Sequence, residues 1–170
     1  MKKLLAAAVL LGAFMATPVM AKEGLYIGGF FPTTTISGNA GGGSSKTGVG
    51  LRLGNGYNKY FSVEGNYSSV DTLTGYAVDV KINFPLTTLD TAQIMSIEPY
   101  AILGYDYFEM GSSTKIKSNG VQYGVGVELY IFRELSVNGG WTKSAASFDT
   151  TPKLDGTITT IDLGVIYHFL

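Results

Sequence analysis

Apolar and polar residues alternate with a period of two along most of this chain. In residues 121–131 the apolar positions are Val121, Tyr123, Val125, Val127, Leu129 and Ile131, and the positions between them are mostly polar or glycine. Residues 76–84 and 160–169 follow the same rule. Successive side chains of a strand point to opposite faces, whereas a helix repeats every 3.6 residues. The pattern therefore predicts β-strands.

Weaker alternation and turn residues extend this prediction to eight strands. The predicted strands are residues 24–31, 47–53, 61–67, 76–84, 98–108, 121–131, 135–141 and 160–169. The two faces of residues 24–31 cannot be assigned, since both are apolar. Gly54-Asn55-Gly56 predicts one of the turns. An even number of antiparallel strands places both ends of the chain on one side.

The first residues have the features of an export signal. Met1-Lys2-Lys3 is positively charged, an apolar run follows from Leu4, and Val19-Met20-Ala21 provides small residues for cleavage. We therefore expect residues 1–21 to be a signal peptide and residues 22–170 to form one β-barrel domain. Cleavage removes two of the 12 basic residues, which leaves ten against 13 acidic ones, a net charge of −3.

Composition narrows the class further. The chain has no cysteine, which excludes disulfide scaffolds, thiol catalysis and cysteine-based zinc sites. Only two arginines are present and the balance of charge is slightly acidic, so a nucleic-acid partner is not expected. Twenty-three glycines together with 20 tyrosines and phenylalanines are typical of a β protein and unlike a helical one.

Alternation alone leaves two barrels open, because a soluble lipocalin-like barrel with apolar residues inside has the same period. Aromatic residues at the strand ends favour the membrane barrel: Tyr67, Tyr76, Tyr123 and Trp141 near the loop side, and Phe61, Phe84 and Phe169 near the turn side. Eight steps from Tyr76 to Phe84 span roughly 26 Å, or ~20 Å of depth after tilting, which suits two aromatic girdles around an apolar band.

The C-terminal residues carry a recognisable motif. Phe169 is preceded at intervals of two by apolar or aromatic residues, namely Tyr167, Val165, Leu163 and Ile161. This motif resembles the C-terminal assembly signal of outer-membrane proteins, although Leu170 follows the aromatic residue here. The chain as a whole resembles the superfamily of small eight-stranded bacterial outer-membrane barrels, which includes outer-membrane protein X and the transmembrane domain of outer-membrane protein A.

The resemblance implies an all-β fold, an eight-stranded antiparallel transmembrane up-and-down β-barrel in the bacterial outer membrane. It also implies the partners: outer-membrane lipid and lipopolysaccharide around the barrel, and the barrel-assembly machinery during biogenesis. We expect a monomer without a cofactor.

Charged residues on the polar face are the candidate functional set. They are Arg52, Glu64, Asp79, Lys81, Glu98, Asp106, Glu128 and Asp162. Buried charges are costly unless they are paired or hydrated, so these side chains are expected to plug the barrel through ion pairs and hydrogen bonds. Six acids against two bases leave a carboxylate excess, which would instead suit a hydrated crevice for cations. Glycines on the same face would leave room for water, namely Gly48, Gly50, Gly124, Gly126, Gly140 and Gly164.

Catalysis and metal binding have little support. His168 is the only histidine, and Asp162 on the same face lies about 20 Å away along an extended strand. One histidine and no cysteine leave no spaced metal-ligand set. The prediction is a non-enzymatic barrel with a structural or surface-interaction role. The alternative is a narrow passage for small polar or cationic solutes, or for small hydrophobic molecules.

Overall fold

The computed structural model describes residues 24–38, 43–86, 96–111, 116–149 and 154–169. The proposed signal peptide and Leu170 lie outside these residues. The described segments form nine strands: β1 (Gly24–Gly38), β2 (Ser45–Thr47), β3 (Val49–Asn58), β4 (Phe61–Val70), β5 (Leu73–Asn83), β6 (Ser96–Met110), β7 (Ile116–Tyr130), β8 (Leu135–Phe148) and β9 (Leu154–His168). Within them no helix is long and apolar enough to cross a bilayer.

Antiparallel pairing closes these strands into a barrel. Each strand pairs with its neighbour in sequence, and β1 pairs with β9 from Tyr26–His168 to Gly38–Gly156. Strands β2 and β3 both pair with β1 and are separated only by Gly48, so together they occupy one position. The described chain is thus a closed eight-stranded antiparallel barrel, which confirms the predicted fold class.

One predicted turn is wrong. Gly54, Asn55 and Gly56 lie inside β3, and the chain reverses later, at Lys59–Tyr60. The carboxamide oxygen of Asn58 accepts hydrogen bonds from the backbone N–H groups of Tyr60 and Phe61, at 2.8 and 3.0 Å. The turn is therefore stabilised by hydrogen bonds to the side chain of Asn58, and Gly54 and Gly56 take no part in it.

Apolar side chains cover the outside of the barrel and polar ones fill the inside. The positions 121, 123, 125, 127 and 129 of β7 are all exposed, whereas Gln122 and Glu128 between them are buried. The unassigned strand β1 places Tyr26 and Phe30 inside and Leu25, Ile27 and Phe31 outside. A face of this kind is stable only against lipid, which excludes the lipocalin-like alternative.

All eight strand positions extend further toward the loops than the sequence indicated. The alternation continues in these extensions, but here apolar side chains point inward and polar side chains point outward. In β8, Ala146 and Phe148 are buried while Ser147 is exposed, and in β9 Ile158 is buried between two threonines. An outer surface that changes from apolar to polar marks the level at which the wall leaves the hydrocarbon and enters water.

The lipid face generates the first prediction. Val125, at 57% exposure, is in the middle of β7, and Val125→Arg should destabilise the folded barrel by about 2–4 kcal/mol because a cation there must enter hydrocarbon. Asn119→Arg is the matched control, since this exposed residue is on the same strand above the change of polarity, where the cost should be about 0–1 kcal/mol. Urea unfolding in lipid vesicles measures both, and equal destabilisation would contradict the assigned membrane level.

Candidate functional site: the barrel interior

The eight charged side chains predicted for the interior are all buried in the lumen. None of the eight is more than 5% exposed: Arg52, Glu64, Asp79, Lys81, Glu98, Asp106, Glu128 and Asp162. They project from strands β3–β7 and β9 at several heights, so the charges form layers along the axis rather than one cluster. The contacts within each layer decide what the interior can do.

Arg52 organises the middle layer. Its guanidinium lies 3.4 Å from Glu64 Oε1 and 3.4 Å from Asp162 Oδ1, and its Nε–H donates to Asn66 Oδ1 at 2.8 Å. The ring of Phe30 lies beneath the cation, with its centroid 4.9 Å from Cζ. The planar guanidinium can bond several acceptors at once. It therefore ties β3, β4 and β9 together across the lumen.

Asp79 is held by amide groups. Asn66 Nδ2 donates to Asp79 Oδ2 at 2.7 Å, and Gln122 Nε2 donates to Asp79 Oδ1 at 2.5 Å. Glu64 is the direct register partner of Asp79 on β4, so two acids stand side by side. Asn66 lies between Arg52 and Asp79 and bonds both. Gln122 belongs to this layer, although the sequence offered no reason to single it out.

The lower layer, near the turn side, centres on Glu128. Lys81 Nζ lies 2.5 Å from Glu128 Oε2, and Ser136 donates a hydrogen bond to Oε1 at 2.6 Å. His168 Nε2 lies 3.0 Å from the same oxygen, and its ring packs between those of Tyr26 and Tyr130. The ring of Tyr100 lies 4.2 Å from Lys81 Nζ. A cation, a hydroxyl and an imidazole thus share one carboxylate.

Serine, histidine and glutamate meet in this layer, but not in the geometry of a catalytic triad. In a triad the carboxylate bonds one imidazole nitrogen and the serine bonds the other. Here Ser136 Oγ and Glu128 Oε1 both approach Nε2 of His168, at 3.1 and 3.0 Å. Ser136 is also fully buried. The arrangement connects strands β7, β8 and β9 and does not activate the hydroxyl as a nucleophile.

The two remaining acids, Glu98 and Asp106, lie toward the turn side and the loop side of the lumen respectively. Glu98 is the register partner of Glu128 and lines a cavity of about 20 Å³ beside Lys81. Asp106 is 1% exposed on the opposite side of the middle layer, and neither of its carboxylate oxygens has a hydrogen bond of normal geometry in the described residues. Among those residues, no three histidine, aspartate or glutamate side chains converge on a metal position.

The inward glycines that were predicted to leave room for water are closely packed instead. A Cβ atom would lie less than 3.0 Å from an atom of another strand at each of Gly48, Gly50, Gly124, Gly126, Gly140 and Gly164. A Cβ atom on Gly50 would lie 2.3 Å from the ring of Phe30, and one on Gly126 would lie 2.3 Å from the ring of Tyr100. A Cβ atom on Gly54 would likewise lie 2.0 Å from the ring of Tyr26. Missing side chains on one strand therefore accommodate aromatic rings from another. The sequence could not show this, because the inward face of β1 was unassigned.

The lumen above the middle layer contains a small chamber and then an apolar cluster. The chamber measures about 60 Å³ and is lined by Arg52, Asp79, Gln122, Thr142 and Thr160, among others. Beyond it Ala146, Phe148 and Ile158 are buried together, with partly buried apolar residues packed on them, namely Ile36, Phe108, Met110 and Ile116. The chamber has room for a few water molecules.

The C-terminal motif lies on the lipid face of β9 and just beyond it. All five of its residues are exposed by between 47% and 64%: Ile161, Leu163, Val165, Tyr167 and Phe169. The rings of Tyr167 and Phe169 meet edge to face at 5.1 Å, and the N–H of Phe169 donates to the carbonyl oxygen of Leu25 at 2.9 Å. The motif therefore adjoins the seam where β1 meets β9.

Comparison with known proteins agrees with this architecture. The family described as "Outer membrane protein beta-barrel domain" matches residues 4–169. The chain belongs to this outer-membrane β-barrel family. No curated protein matches the sequence.

Solved structures share the fold at low sequence identity. Neisserial surface protein A is 16% identical with a TM-score of 0.60, over 85% of this chain and 97% of that one. The attachment invasion locus protein of Yersinia pestis is 16% identical with a TM-score of 0.52, over 88% and 100%. The N-terminal barrel of Pseudomonas aeruginosa OprF is 12% identical with a TM-score of 0.52, over 84% and 97%. The likeness concerns the fold.

The middle layer generates the second prediction. Arg52→Ala should lower the free energy of unfolding by about 3–5 kcal/mol, because it leaves Glu64 and Asp162 buried without their cation. Arg133→Ala, at the only other arginine, is the control: that residue is exposed, and its removal should change stability by less than about 0.5 kcal/mol. Thermal unfolding of the two refolded variants makes the comparison. Equal midpoints would mean that the ion pairs do not stabilise the barrel.

Proposed function

We propose that this outer-membrane barrel is a non-enzymatic monomer with a structural or surface-interaction role, and that its side chains plug the lumen. The main support for the proposal is that side chains fill the lumen in successive layers along the barrel axis. The Glu128 layer, the Arg52 layer and the apolar cluster around Phe148 follow one another from the turn side to the loop side. Function is then left to the loops and the outer wall.

The third prediction tests the plug. Purified, refolded protein in planar bilayers should give little or no conductance, because an eight-stranded barrel is just wide enough for its own side chains. A heat-modifiability gel verifies that the sample is folded. Steady openings in folded protein would contradict the plug.

A narrow cation passage is the second candidate, and the carboxylate excess around the chamber favours it. Glu64, Asp79 and Asp162 line the chamber with Arg52 as the cation among them. A passage through this region should be cation-selective, and Asp79→Asn or Glu128→Gln should lower the selectivity by removing fixed negative charge. Reversal potentials under a salt gradient give the measurement, and anion selectivity would exclude this candidate.

Membrane assembly depends, in this proposal, on the barrel-assembly machinery binding the C-terminal motif, with outer-membrane lipid and lipopolysaccharide surrounding the finished barrel. The position of Phe169 beside the β1–β9 seam supports the first part. An exposed aromatic residue at the chain end is accessible to a partner before the seam closes. Phe169 would then act before folding is complete, whereas the other girdle residues act afterwards.

The fourth prediction separates these two roles. Phe169→Ala should reduce the amount of folded protein that reaches the outer membrane of cells. Phe84→Ala is the matched control, since Phe84 is a girdle residue of similar exposure, 53% against 47%, located far from the chain end. Heat-modifiable protein in the membrane fraction is measured for both. A similar yield from the two variants would mean that Phe169 acts only as a girdle residue. Deletion of Leu170 should leave assembly unchanged or improve it.

A further inference from the structure

The described part of the outer wall has a broad, open concave site. It lies across β1 and β3–β6 and has a volume of about 520 Å³, far larger than the chamber inside the lumen. Small-molecule sites in proteins measure roughly 300–1,000 Å³. The outer wall of an eight-stranded barrel is convex, so a groove in it requires particular residues at these positions.

Gly65 creates the groove. It faces outward on β4 between its register partners Leu53 on β3 and Val78 on β5. The absent side chain leaves a depression, and larger side chains on the neighbouring positions form its walls. Leu51 and Leu53 stand on one side, and Tyr105 stands on the other. The lining is almost wholly apolar.

A row of tyrosines forms the upper rim. Tyr67, Tyr76 and Tyr107 are register partners across β4, β5 and β6, and their ring centroids are separated by 5.4 and 6.4 Å. This row belongs to the girdle on the loop side, because Tyr67 and Tyr76 flank the turn at Asp71–Thr72. The groove therefore lies in the leaflet that faces the outside of the cell, immediately below the level of the lipid headgroups.

We propose that this groove, defined by Gly65, Leu51, Leu53, Val78 and Tyr105 beneath the tyrosine row, holds an acyl chain of lipid A. The apolar walls match a hydrocarbon chain, and the hydroxyl groups of the row lie at the height of the acyl ester and hydroxyl oxygens. Lys46, which is exposed in β2, lies 4.0 Å from the carboxylate of Asp71 at the turn above this rim, so the polar edge of the groove carries both a cation and an anion. Lipid A is the acyl lipid of the outer leaflet, so the level of the groove selects it over phospholipid.

The inference rests on the membrane location of the barrel and deepens the proposed contact with lipopolysaccharide. Lipid around most of the wall exchanges freely, whereas a chain in a walled groove makes contacts on three sides and should remain bound longer. The groove would therefore be the part of the barrel wall at which lipid binds most tightly. The distinction is measurable as lipid that stays with the protein during purification.

The test uses full-length protein extracted from outer membranes in mild detergent, with 3-hydroxy fatty acids, which mark lipid A, measured per barrel by mass spectrometry. The unmodified protein should retain them, and Gly65→Leu should reduce retention about tenfold, the loss expected when about two chain methylenes leave an apolar surface. Gly139→Leu is the control, because Gly139 also faces outward but lies on β8, where an added Cβ atom would lie 3.2 Å from the end of the Leu163 side chain and 3.9 Å from the carbonyl oxygen of Asp162.

Each other outcome overturns the proposal. Retained phospholipid in place of hydroxylated chains would assign the wrong lipid, and a dimer lost in Gly65→Leu would assign the groove to a second copy of the chain. Equal retention in both variants would mean that the groove does not hold lipid. A heat-modifiability gel distinguishes these results from failure of the barrel itself: folded variants with unchanged lipid overturn only the groove, and unfolded unmodified protein would challenge the proposed function.

Discussion

Closure of β1 on β9 is the constraint on which the rest of the structure depends. A backbone in hydrocarbon has no water to bond, so every N–H and C=O must find a partner within the sheet, and only a closed sheet has no open edge. Thirteen register pairs along this seam, from Tyr26–His168 to Gly38–Gly156, complete the ring. Contacts inside the lumen reinforce the same seam, since His168 on β9 packs against Tyr26 on β1. Strand β9, which carries most of the C-terminal motif, is therefore also the element that completes the barrel.

Closure at eight strands leaves an interior that the side chains must fill, and the filling has two components. Ion pairs and amide hydrogen bonds satisfy most of the charges, as Arg52 does for Glu64 and Asp162. Aromatic rings fill the volume, and they fit because glycines face them across the lumen, as Gly50 faces Phe30 and Gly126 faces Tyr100. The high glycine content thus serves packing density more than flexibility. Such a lumen tolerates few substitutions at these glycines, because a larger side chain would displace a ring that also contacts a buried cation.

The period of two was sufficient to predict the strands, their number and the inward position of the charged residues, because alternation against lipid is a strict requirement. It was insufficient for features that depend on contacts between distant strands. The faces of β1 could not be assigned, since Tyr26 and Phe30 are as apolar as Ile27 and Phe31 and differ only in the glycines opposite them. The strand extensions were interpreted as loops because the sense of alternation reverses there. Ser136 and Gln122 were missed, as a serine or glutamine on a polar face carries no signal of its partner.

The reversal of alternation also explains how one wall serves two media. Below it, apolar residues face lipid and the interior is polar, so charges hold the strands together from within. Above it, threonine, serine and lysine face water, and the interior becomes apolar around Phe148 and Ile158. The two zones therefore have opposite polarity inside and outside. A single strand can pass from one zone to the other because its backbone hydrogen bonds to the neighbouring strands continue without a break. The apolar cluster lies on the loop side of the charged layers, so a partner that meets the described wall beyond the hydrocarbon contacts polar side chains outside and not the charges within.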